Sequence, residues 1–254
     1  MLMALTRAIS PALQDCQLTH LSRAPIDLDL ARAQHADYEW ALVEAGCTVR
    51  QLDSSPDLPD SVFVEDAAVM LPEGAVITRP GVEPRRAEIP VVAAALARHG
   101  VALHQIEPPA TLDGGDVLVI GHDVFIGESG RTNVAAIEQM RRLLKPRYRV
   151  RAVPVEGCLH LKSAVTAVSD DTLLINRAWV PDKIFKDFTL IDVDANEPYA
   201  ANALRVADRV IYPAAFPRTQ EQLASHGVRV RTVDVSELAK AEGAVTCCSL
   251  IFEM

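Results

Sequence analysis

The segment Thr111-Leu-Asp-Gly-Gly-Asp-Val-Leu-Val-Ile-Gly-His-Asp-Val-Phe-Ile126 carries the pattern on which the rest of the chain is built. Two apolar runs, Val117–Ile120 and Val124–Ile126, flank Gly-His-Asp, a tripeptide of the kind that reverses a chain tightly. They predict a pair of antiparallel strands. Asp113 and Asp116 precede the first strand, and the two glycines between them let the backbone bend sharply or approach a ligand closely.

The same layout recurs along the chain, although the residues differ. Three further strand pairs are predicted, each around a short polar turn: Ala67–Leu71 with Ala75–Thr78, Ala164–Val168 with Thr172–Ile175, and Ala203–Val206 with Val210–Tyr212. A fifth pair would join Leu250–Phe252, near the end of the chain, to Leu5–Ile9 near its start. We therefore expect five repeated units.

Each predicted pair is followed by a helical pattern and then by an alternating strand. The helical patterns cover residues 29–45, 84–98, 131–145, 180–187 and 217–226. The strands that follow them are Thr48–Leu52, Val101–Ile106, Val150–Val155, Thr189–Val193 and Val228–Val235. The repeated unit is thus strand, strand, helix, strand.

A polar residue stands immediately before the first strand of every unit. These residues recur at intervals of roughly 40 to 50 and are Asp66, Asp116, Ser163, Asn202 and Ser249. If the units surround an axis, the five residues converge on one central point. The sequence therefore favours an α/β fold in which five pseudo-fivefold ββαβ units form a ring around a central point. The alternative is five independent αβ loops in an ordinary open sheet.

Composition restricts the class of protein and its partners. The chain has 254 residues, of which 49% are hydrophobic and 23% charged, which predicts a folded globular protein of one large domain or two small ones, and no linker or charge run divides residues 1–254. The net charge of −9 and the lack of a basic run argue against nucleic acid and anionic membranes, whereas a small cationic substrate would be tolerated. The longest apolar run, Val91–Ala97, is far too short to span a bilayer.

The cysteines predict a compartment and a reactive group. Five cysteines, an odd number without framework spacing, fit a reducing cytoplasm. Cys247 and Cys248 stand in the segment 243–252, for which a strand is predicted. Strand alternation would turn the two thiols to opposite faces, so one could face a site while the other packs in the core.

A thiol, an imidazole and several carboxylates near the predicted axis suit the chemistry of a guanidinium group. Carboxylates hold a planar guanidinium by charge-assisted hydrogen bonds, and its delocalised central carbon needs a strong nucleophile such as a thiolate. His160, in Leu-His-Leu-Lys-Ser, could protonate the departing amine if its pKa is near the ordinary value, and could then activate water. Because carboxylates oppose thiol ionisation, we expect the thiolate to form mainly when the cationic substrate binds.

These residues lie in an ordered set of blocks that resembles dimethylarginine dimethylaminohydrolase, of the guanidine-modifying pentein superfamily. The blocks span nearly the whole chain and are residues 60–66, 77–86, 111–118, 131–133, 159–163, 200–202 and 246–249. The resemblance implies a five-bladed propeller and hydrolysis of Nω-methylated arginines to citrulline and an alkylamine, without metal or organic cofactor. A homodimer is an expectation that rests on the family resemblance alone.

The resemblance also implies roles for individual residues. Cys247 would be the nucleophile and His160 the general acid and base, with Asp113 as the third catalytic residue, where some relatives have Glu. Glu65 and Asp66 would lie near the guanidinium. The other implied substrate-binding residues are Asp60, Arg85 and Arg131, the last two for the substrate carboxylate, and Leu18 and Ala241, whose backbone carbonyls would accept from the amino group. Leu18 lies in residues 14–25, which resemble the mobile lid of the family.

Several other functions remain open at this point. Arginine deiminases and agmatine deiminases attack the same carbon and amidinotransferases transfer the amidino group, although those chains are typically longer. Agmatine has no carboxylate for two arginines to bind, but the sequence does not distinguish methylated from unmethylated arginine. A non-catalytic binder or a zinc protein is a further alternative. The sequence lacks the usual zinc-ligand spacing, however, and adjacent cysteines do not easily bind the same tetrahedral ion. A cysteine peptidase would leave the carboxylates unexplained.

Overall fold

Five three-stranded sheets make up the structure, a computed structural model that describes residues 1–254. In each sheet two strands pair antiparallel and a third joins in parallel, in the orders β15-β1-β2, β3-β4-β5, β6-β7-β8, β9-β10-β11 and β12-β13-β14. The strands are β1 (Leu2–Arg7), β2 (Thr48–Leu52), β3 (Ala68–Leu71), β4 (Gly74–Ile77), β5 (Leu103–Gln105), β6 (Val117–Ile120), β7 (Asp123–Glu128), β8 (Arg149–Pro154), β9 (Val165–Ala167), β10 (Thr172–Ile175), β11 (Thr189–Asp192), β12 (Leu204–Val206), β13 (Arg209–Pro213), β14 (Val230–Val233) and β15 (Leu250–Glu253). This is the predicted repeat.

The helices are α1 (Leu28–Glu44), α2 (Ile89–Arg98), α3 (Val134–Leu144), α4 (Leu161–Ala164), α5 (Pro217–Ser225) and α6 (Ser236–Ala239). Four of the helices connect the second and third strands of a unit, α4 directly precedes β9, and α6 lies between β14 and β15. Two helices have a side-chain N-cap. The Asp27 side chain accepts from backbone N–H groups in the first turn of α1, and the Asn133 side chain accepts from one in the first turn of α3. None of the helices has the length and apolar character that crossing a bilayer requires.

The hydrophobic core is divided into five clusters, and each cluster fills the space between two consecutive sheets. Met3 and Leu5 of β1 pack with Ala75 and Ile77 of β4, for example, and with the inner face of α2. The other clusters join the second sheet to the third, the third to the fourth, the fourth to the fifth and the fifth back to the first. The sheets therefore close into a ring, as the propeller prediction requires and the open-sheet alternative does not.

One-turn helices precede the first strands of three units and bring their polar residues together. Val64–Ala67 leads into β3 and Gly114–Asp116 into β6, both as 3₁₀ turns, while α4 leads into β9. The two 3₁₀ turns contact each other, and α4 contacts Gly114–Asp116. The polar residues predicted to converge are thus carried on short helical turns at the centre of the ring.

Three predicted elements differ in kind from the structure, and in the first two, turns replace part of the predicted helix or strand. Residues 180–187 form only the 3₁₀ turn Asp182–Phe185, which buries Phe185 and is preceded by Pro181. Residues 243–252 are a strand only from Leu250, because the preceding residues form turns in which Cys247 N–H donates to Ala244 O at 3.1 Å. The argument from strand alternation therefore does not apply to the two cysteines.

The helix predicted at 84–98 is divided in two by Pro90. Glu83–Glu88 is a 3₁₀ helix, and α2 begins at Ile89 with Pro90 in its first turn, where proline is tolerated. The division matters for the site, because the 3₁₀ segment presents Arg85 and Glu88 to the interior, where both are buried.

Candidate active site

His160 lies at the centre of the ring, directly before α4, and its imidazole is held by Asp113. The His160 Nε2 atom is 3.1 Å from Asp113 Oδ2, and both side chains are buried. Asp113 is itself fixed, because its Oδ1 accepts from the backbone N–H of Gly81 at 2.9 Å and its Oδ2 lies 3.5 Å from Arg131 Nη1. A histidine oriented by a buried carboxylate has the arrangement needed for proton transfer.

Asp66 occupies the other side of the imidazole. Its Oδ1 accepts from Gly115 N–H at 2.9 Å and lies 3.9 Å from His160 Nδ1, while Oδ2 accepts from Arg85 Nη1 at 2.5 Å. Arg85 is buried and also donates to Glu88 and to the carbonyl of Phe63. Asp66 therefore links the proposed proton-transfer residue to a buried arginine.

The two glycines that follow Asp113 are required by close packing. A Cβ on Gly115 would lie 2.4 Å from His160 Nδ1 and 3.0 Å from Asp66 Oδ1. A Cβ on Gly114 would lie 1.9 Å from the carbonyl oxygen of Glu65. The glycines therefore let the polar turns pack closely against each other, and Gly115 packs against the imidazole of His160.

Glu65 lies on the side of the site that carries the cysteine. Its carboxylate accepts from Lys162 Nζ at 2.5 Å and from Thr246 Oγ1 at 2.8 Å, and its backbone N–H donates to Cys247 O at 3.1 Å. Asn202 completes this side, because its side chain accepts from Thr246 N–H and donates to Thr246 Oγ1. These bonds hold the turn that carries the thiol.

A small closed cavity brings most of the predicted residues together. Its volume is about 20 Å³, which leaves room for little more than a water molecule. Its lining includes seven of the ten predicted site residues, namely Asp60, Asp66, Arg85, Arg131, His160, Ala241 and Cys247. Asp113 stands behind His160, whereas Glu65 and Leu18 are absent from the lining.

Two of the predicted residues that line the cavity also contact the lid, defined as residues 14–25, and a third predicted residue belongs to it. Asp60 accepts from the backbone N–H of Gln17 at 3.1 and 3.2 Å, and Arg131 Nη2 donates to Thr19 Oγ1 at 2.9 Å. Leu18, between these two lid residues, is half-buried and packs against the cluster formed around α1. The lid is therefore closed over the cavity.

The protonation of His160 departs from expectation. Burial alone would lower the pKa of the imidazole, but the carboxylates of Asp66, Asp116 and Asp113 outweigh burial and raise it to about 9. The prediction of a histidine near its ordinary pKa is therefore wrong, because the surrounding anions favour the imidazolium. At neutral pH this histidine is a proton donor.

The pKa of Cys247 is raised, whereas an activated cysteine nucleophile has a lowered pKa. Burial, followed by the carboxylates of Glu65 and Asp66, raises the pKa of the Cys247 thiol to about 12. Cys248 is fully buried and packs in the cluster around α1, and its Sγ lies 3.6 Å from Ala244 O. Cys247 lines the cavity and Cys248 does not.

Sequence reasoning missed several contributing residues. Lys162 and Thr246 hold Glu65, and Gln17, Glu242 and Gly243 line the cavity. Lys162 and Thr246 lie in two of the sequence blocks that resemble the family, close to His160 and Cys247. Their place in these blocks could therefore have predicted that they lie near the site. Gln17 and Glu242 had no such signal, because their contacts depend on how the lid folds over the site.

Three buried ligand atoms form a cluster that a metal ion could occupy. The side chains of Asp66, Asp113 and His160 each offer one atom, and these lie within 4.8 Å of one another. The donors are already engaged, since Asp66 accepts from Arg85 and Asp113 from Gly81. Protonation of His160 removes its remaining ligand atom at neutral pH, so the donor set is a poor match for a resident metal.

Comparison with known proteins assigns this arrangement first to a class. Residues 53–211 match the family model described as arginine deiminase. The N-terminal domain of a cyanobacterial arginine dihydrolase, 19% identical, shares the fold with a TM-score of 0.87 over 99% of this chain and 98% of that one. The chain therefore belongs to the arginine deiminase class of proteins, which has the pentein fold.

The chain belongs to the dimethylarginine dimethylaminohydrolase family. It is 43% identical over 250 residues to the N(G),N(G)-dimethylarginine dimethylaminohydrolase of Streptomyces coelicolor, covering 97% of this chain and 95% of the relative. The Pseudomonas aeruginosa protein of the same name is 38% identical, with 92% of each chain covered. A mutant Pseudomonas aeruginosa structure, solved in complex with citrulline, superposes with a TM-score of 0.93 at 36% identity, covering 98% of each chain.

Proposed function

We propose that this protein hydrolyses Nω-methylated L-arginines, asymmetric dimethylarginine and monomethylarginine, to L-citrulline and dimethylamine or methylamine. The observation that carries the proposal is one closed cavity lined by Cys247, His160 and Asp66 and also by Arg85 and Arg131. A thiol, an imidazolium and a carboxylate serve the guanidinium end of the substrate. The arginines offer cationic groups for its carboxylate.

The substrate itself generates the nucleophile. A guanidinium cation beside Glu65 and Asp66 offsets the anionic field that opposes ionisation, so the Cys247 thiol loses its proton to solvent as the substrate binds. The Sγ atom then bonds to the central guanidinium carbon. His160 donates its proton to the dimethylated nitrogen as the bond from that nitrogen to carbon breaks, and neutral dimethylamine leaves an S-alkylthiouronium cation on Cys247.

The second half of the reaction restores the resting protein. Neutral His160 takes a proton from water, and the hydroxide attacks the thiouronium carbon. The bond from carbon to Sγ breaks and the hydroxyl proton goes to sulfur, which gives citrulline, a neutral thiol and an imidazolium. Asp113 keeps the imidazole oriented through both halves, at 3.1 Å from Nε2. No metal or organic cofactor enters any step.

The substrate's amino-acid end is held between the lid and the 3₁₀ segment before α2. Arg131, which donates to Thr19 in the closed site, turns one or more N–H groups to the substrate carboxylate, and Arg85 supplies the second cation. The backbone carbonyls of Leu18 and Ala241 accept from the amino group, with Asp60 nearby as an anion. Glu65 and Asp66 attract the guanidinium by charge.

An assay of citrulline formation tests this function. Asymmetric dimethylarginine, monomethylarginine, arginine and agmatine are each incubated with the protein, and Cys247→Ser serves as the inactive reference. We expect turnover of both methylated arginines, none of agmatine, and none with the variant. Absence of citrulline from all four compounds with a folded protein would favour a non-catalytic binder.

Arginine deiminase activity is the second candidate, because the matching family model carries that description. The two activities share every catalytic residue proposed above and differ only in the room around one terminal nitrogen. Turnover of unmethylated arginine at a kcat/KM comparable to that of asymmetric dimethylarginine would select the deiminase. A large preference for the methylated compound would select the proposed hydrolase.

We infer that residues 1–254 act as a single catalytic domain in the cytoplasm and that the protein is a homodimer. All five cysteines are free, which supports a reducing compartment. On the outer face of α1, Trp40 is 57% exposed and Val43 42% exposed, and they offer apolar surface for a second copy. Sedimentation of the protein and of Trp40→Glu tests the dimer, which we expect the substitution to weaken.

A further inference from the structure

The lid is attached to the rest of the protein mainly by polar contacts. From Gln17 to Arg23 every side chain is exposed except that of Leu18, so little apolar burial holds this segment down. Its backbone N–H groups instead point to carboxylates. Asp60 accepts from Gln17, near the start of the lid, and Glu242 accepts from its tip.

Glu242 receives three successive backbone N–H groups of the lid tip. Its Oε2 accepts from Thr19 at 2.9 Å, and its Oε1 accepts from His20 at 2.5 Å and Leu21 at 2.6 Å. Successive N–H groups that converge on a carboxylate form a concave anion site, and charge-assisted bonds of this kind are stronger than neutral ones. One side chain therefore orders the backbone of three lid residues.

The backbone at Glu242 is unusual and points to the same role. Its φ angle is 58°, in the left-handed region that glycine adopts without steric cost, and Ala207 is the other non-glycine residue with positive φ. The conformation follows Ala241 and precedes Gly243, where an added Cβ would lie 2.2 Å from the ring of Phe63. A glutamate kept where glycine would be easier indicates that its carboxylate is used.

Glu242 also stands between two cavities. It lines the closed site and, together with Gly243 and Leu159, a neighbouring apolar cavity of about 250 Å³ that His20 and Leu21 cover. Movement of the lid tip away from Glu242 would open both cavities to each other. The 20 Å³ site would then gain the volume that a substrate needs to enter.

We propose that Glu242 is a positioning residue that holds the lid closed by binding the N–H groups of Thr19, His20 and Leu21. The closed lid puts the hydroxyl of Thr19 against Arg131 before the substrate arrives. Binding then costs less ordering of the lid, which raises apparent affinity. Only the kinetic part of this inference depends on the proposed function.

Amide hydrogen exchange of the substrate-free protein tests the contact directly. Glu242→Asn tolerates the left-handed backbone but is neutral and shorter, and Glu242→Gly removes the side chain while relieving that backbone. We expect exchange at Thr19, His20 and Leu21 to become about tenfold faster or more in both variants, with the melting temperature kept or raised in Glu242→Gly. Unchanged exchange in both variants overturns the proposal, whatever the activity.

A matched control shows whether faster exchange in the lid requires loss of Glu242 itself. It removes a different carboxylate that also accepts from backbone N–H groups. Glu197 accepts from the N–H groups of Arg218 and Thr219 at 3.0 and 2.8 Å, away from the lid. Glu197→Gln should leave exchange in the lid unchanged. If it speeds lid exchange as much as the Glu242 variants do, general loosening explains the result and the assignment is wrong.

Steady-state kinetics with asymmetric dimethylarginine give the second readout. Both Glu242 variants should raise KM about tenfold and leave kcat unchanged or higher, because a lid that opens more easily also releases product sooner. A large fall in kcat with unchanged KM would contradict a positioning role. If no substrate is turned over by the parent protein, the proposed function fails while the exchange result still judges the lid contact.

Discussion

At the scale of single residues, the central pair of the site rests in protonation states opposite to those of an activated thiol and base. The pKa of Cys247 is raised to about 12 and that of His160 to about 9, so neutral pH gives a thiol beside an imidazolium. Burial is the largest cause of the raised pKa of Cys247, and Asp66 contributes to both shifts because its charge opposes a thiolate and favours an imidazolium. In the proposed mechanism, catalysis therefore depends on a cationic substrate to make the nucleophile.

Replacement of Glu65 by glutamine tests the anionic contribution to the thiol. Glu65 is the largest charged contributor to the raised pKa of Cys247, after burial, so its neutralisation should lower that pKa. We expect iodoacetamide to alkylate Cys247 about tenfold faster at mildly alkaline pH in Glu65→Gln, as followed by peptide mapping. Glu128→Gln, at an exposed carboxylate, is the control. Equal or slower alkylation in Glu65→Gln would refute the electrostatic account.

The histidine contributes a pH dependence to stability. Its folded pKa of about 9 lies above the ordinary value of 6.5, so the stabilisation is complete below pH 6.5 and is lost as the pH rises through about 9. Denaturant unfolding should show the free energy of unfolding falling over this window by an amount on the order of 3 kcal/mol. The fall should be absent in His160→Gln, and its persistence in that variant would assign it to other groups.

Which residues form the site was largely predictable from the blocks of sequence, but their electrostatics were not. Cys247, His160 and Asp66 lie together as expected, because the polar residues at the strand starts converge. The pKa of His160 depends on three carboxylates from two different turns at once, and no single block of sequence reports their combined field. The contact of Glu242 with the lid likewise depends on tertiary structure.

At the scale of elements, the short helical turns before the first strands position the proposed catalytic groups. Gly114–Asp116 packs against Val64–Ala67 and α4, and this close approach is what brings Asp66 and His160 together. The strand pairs were predictable from alternation and turn residues. The one-turn helices before them were not, because three or four residues carry no usable periodicity.

A methyl group added at Gly115 tests this packing. The new Cβ would meet His160 Nδ1 at 2.4 Å and displace the imidazole from Asp113. We expect Gly115→Ala to lower kcat about a hundredfold and stability by roughly 1–3 kcal/mol. Gly130→Ala is the control, since nothing lies within 4 Å of the place its methyl group would take, and it should keep its stability. Normal kcat in Gly115→Ala would mean that His160 tolerates displacement.

The predicted cysteine faces the cavity although the element predicted to carry it is wrong. A strand was predicted through residues 243–252, and the two thiols were expected to alternate across it. Asn202 binds Thr246 N–H in place of a strand partner, so the segment forms turns until Leu250. Cys247 still faces the cavity and Cys248 faces the core. The two side chains point in different directions because of the turn, not because of strand alternation.

At the scale of the whole molecule, ring closure makes the site. Five core clusters join five sheets without a gap, and β1 pairs with β15 to close the circle. The fivefold repeat in the sequence favoured this closure over an open sheet without excluding the open sheet. It did not predict a closed lid, because the lid lies in the connection between β1 and α1, outside the repeated strands and helices.

A circular permutant tests closure of the ring. Met1 and Met254 exchange backbone hydrogen bonds of 2.9 Å, so a short glycine-serine linker can join them without strain. New ends are opened between Asp170 and Asp171, in the turn between β9 and β10. We expect a melting temperature within roughly 10 °C of the parent and kcat within about tenfold. Loss of cooperative unfolding would contradict a closed ring of equivalent units.

The most direct test of the central claim is to trap the covalent intermediate and locate it. In His160→Gly, S-methyl-L-thiocitrulline offers a thiolate leaving group that needs little protonation, while hydrolysis still needs the missing base. We predict that intact-protein mass spectrometry shows one adduct and that peptide mapping places it on Cys247. An adduct on Cys248, or none from a folded protein that binds the compound, would contradict the account.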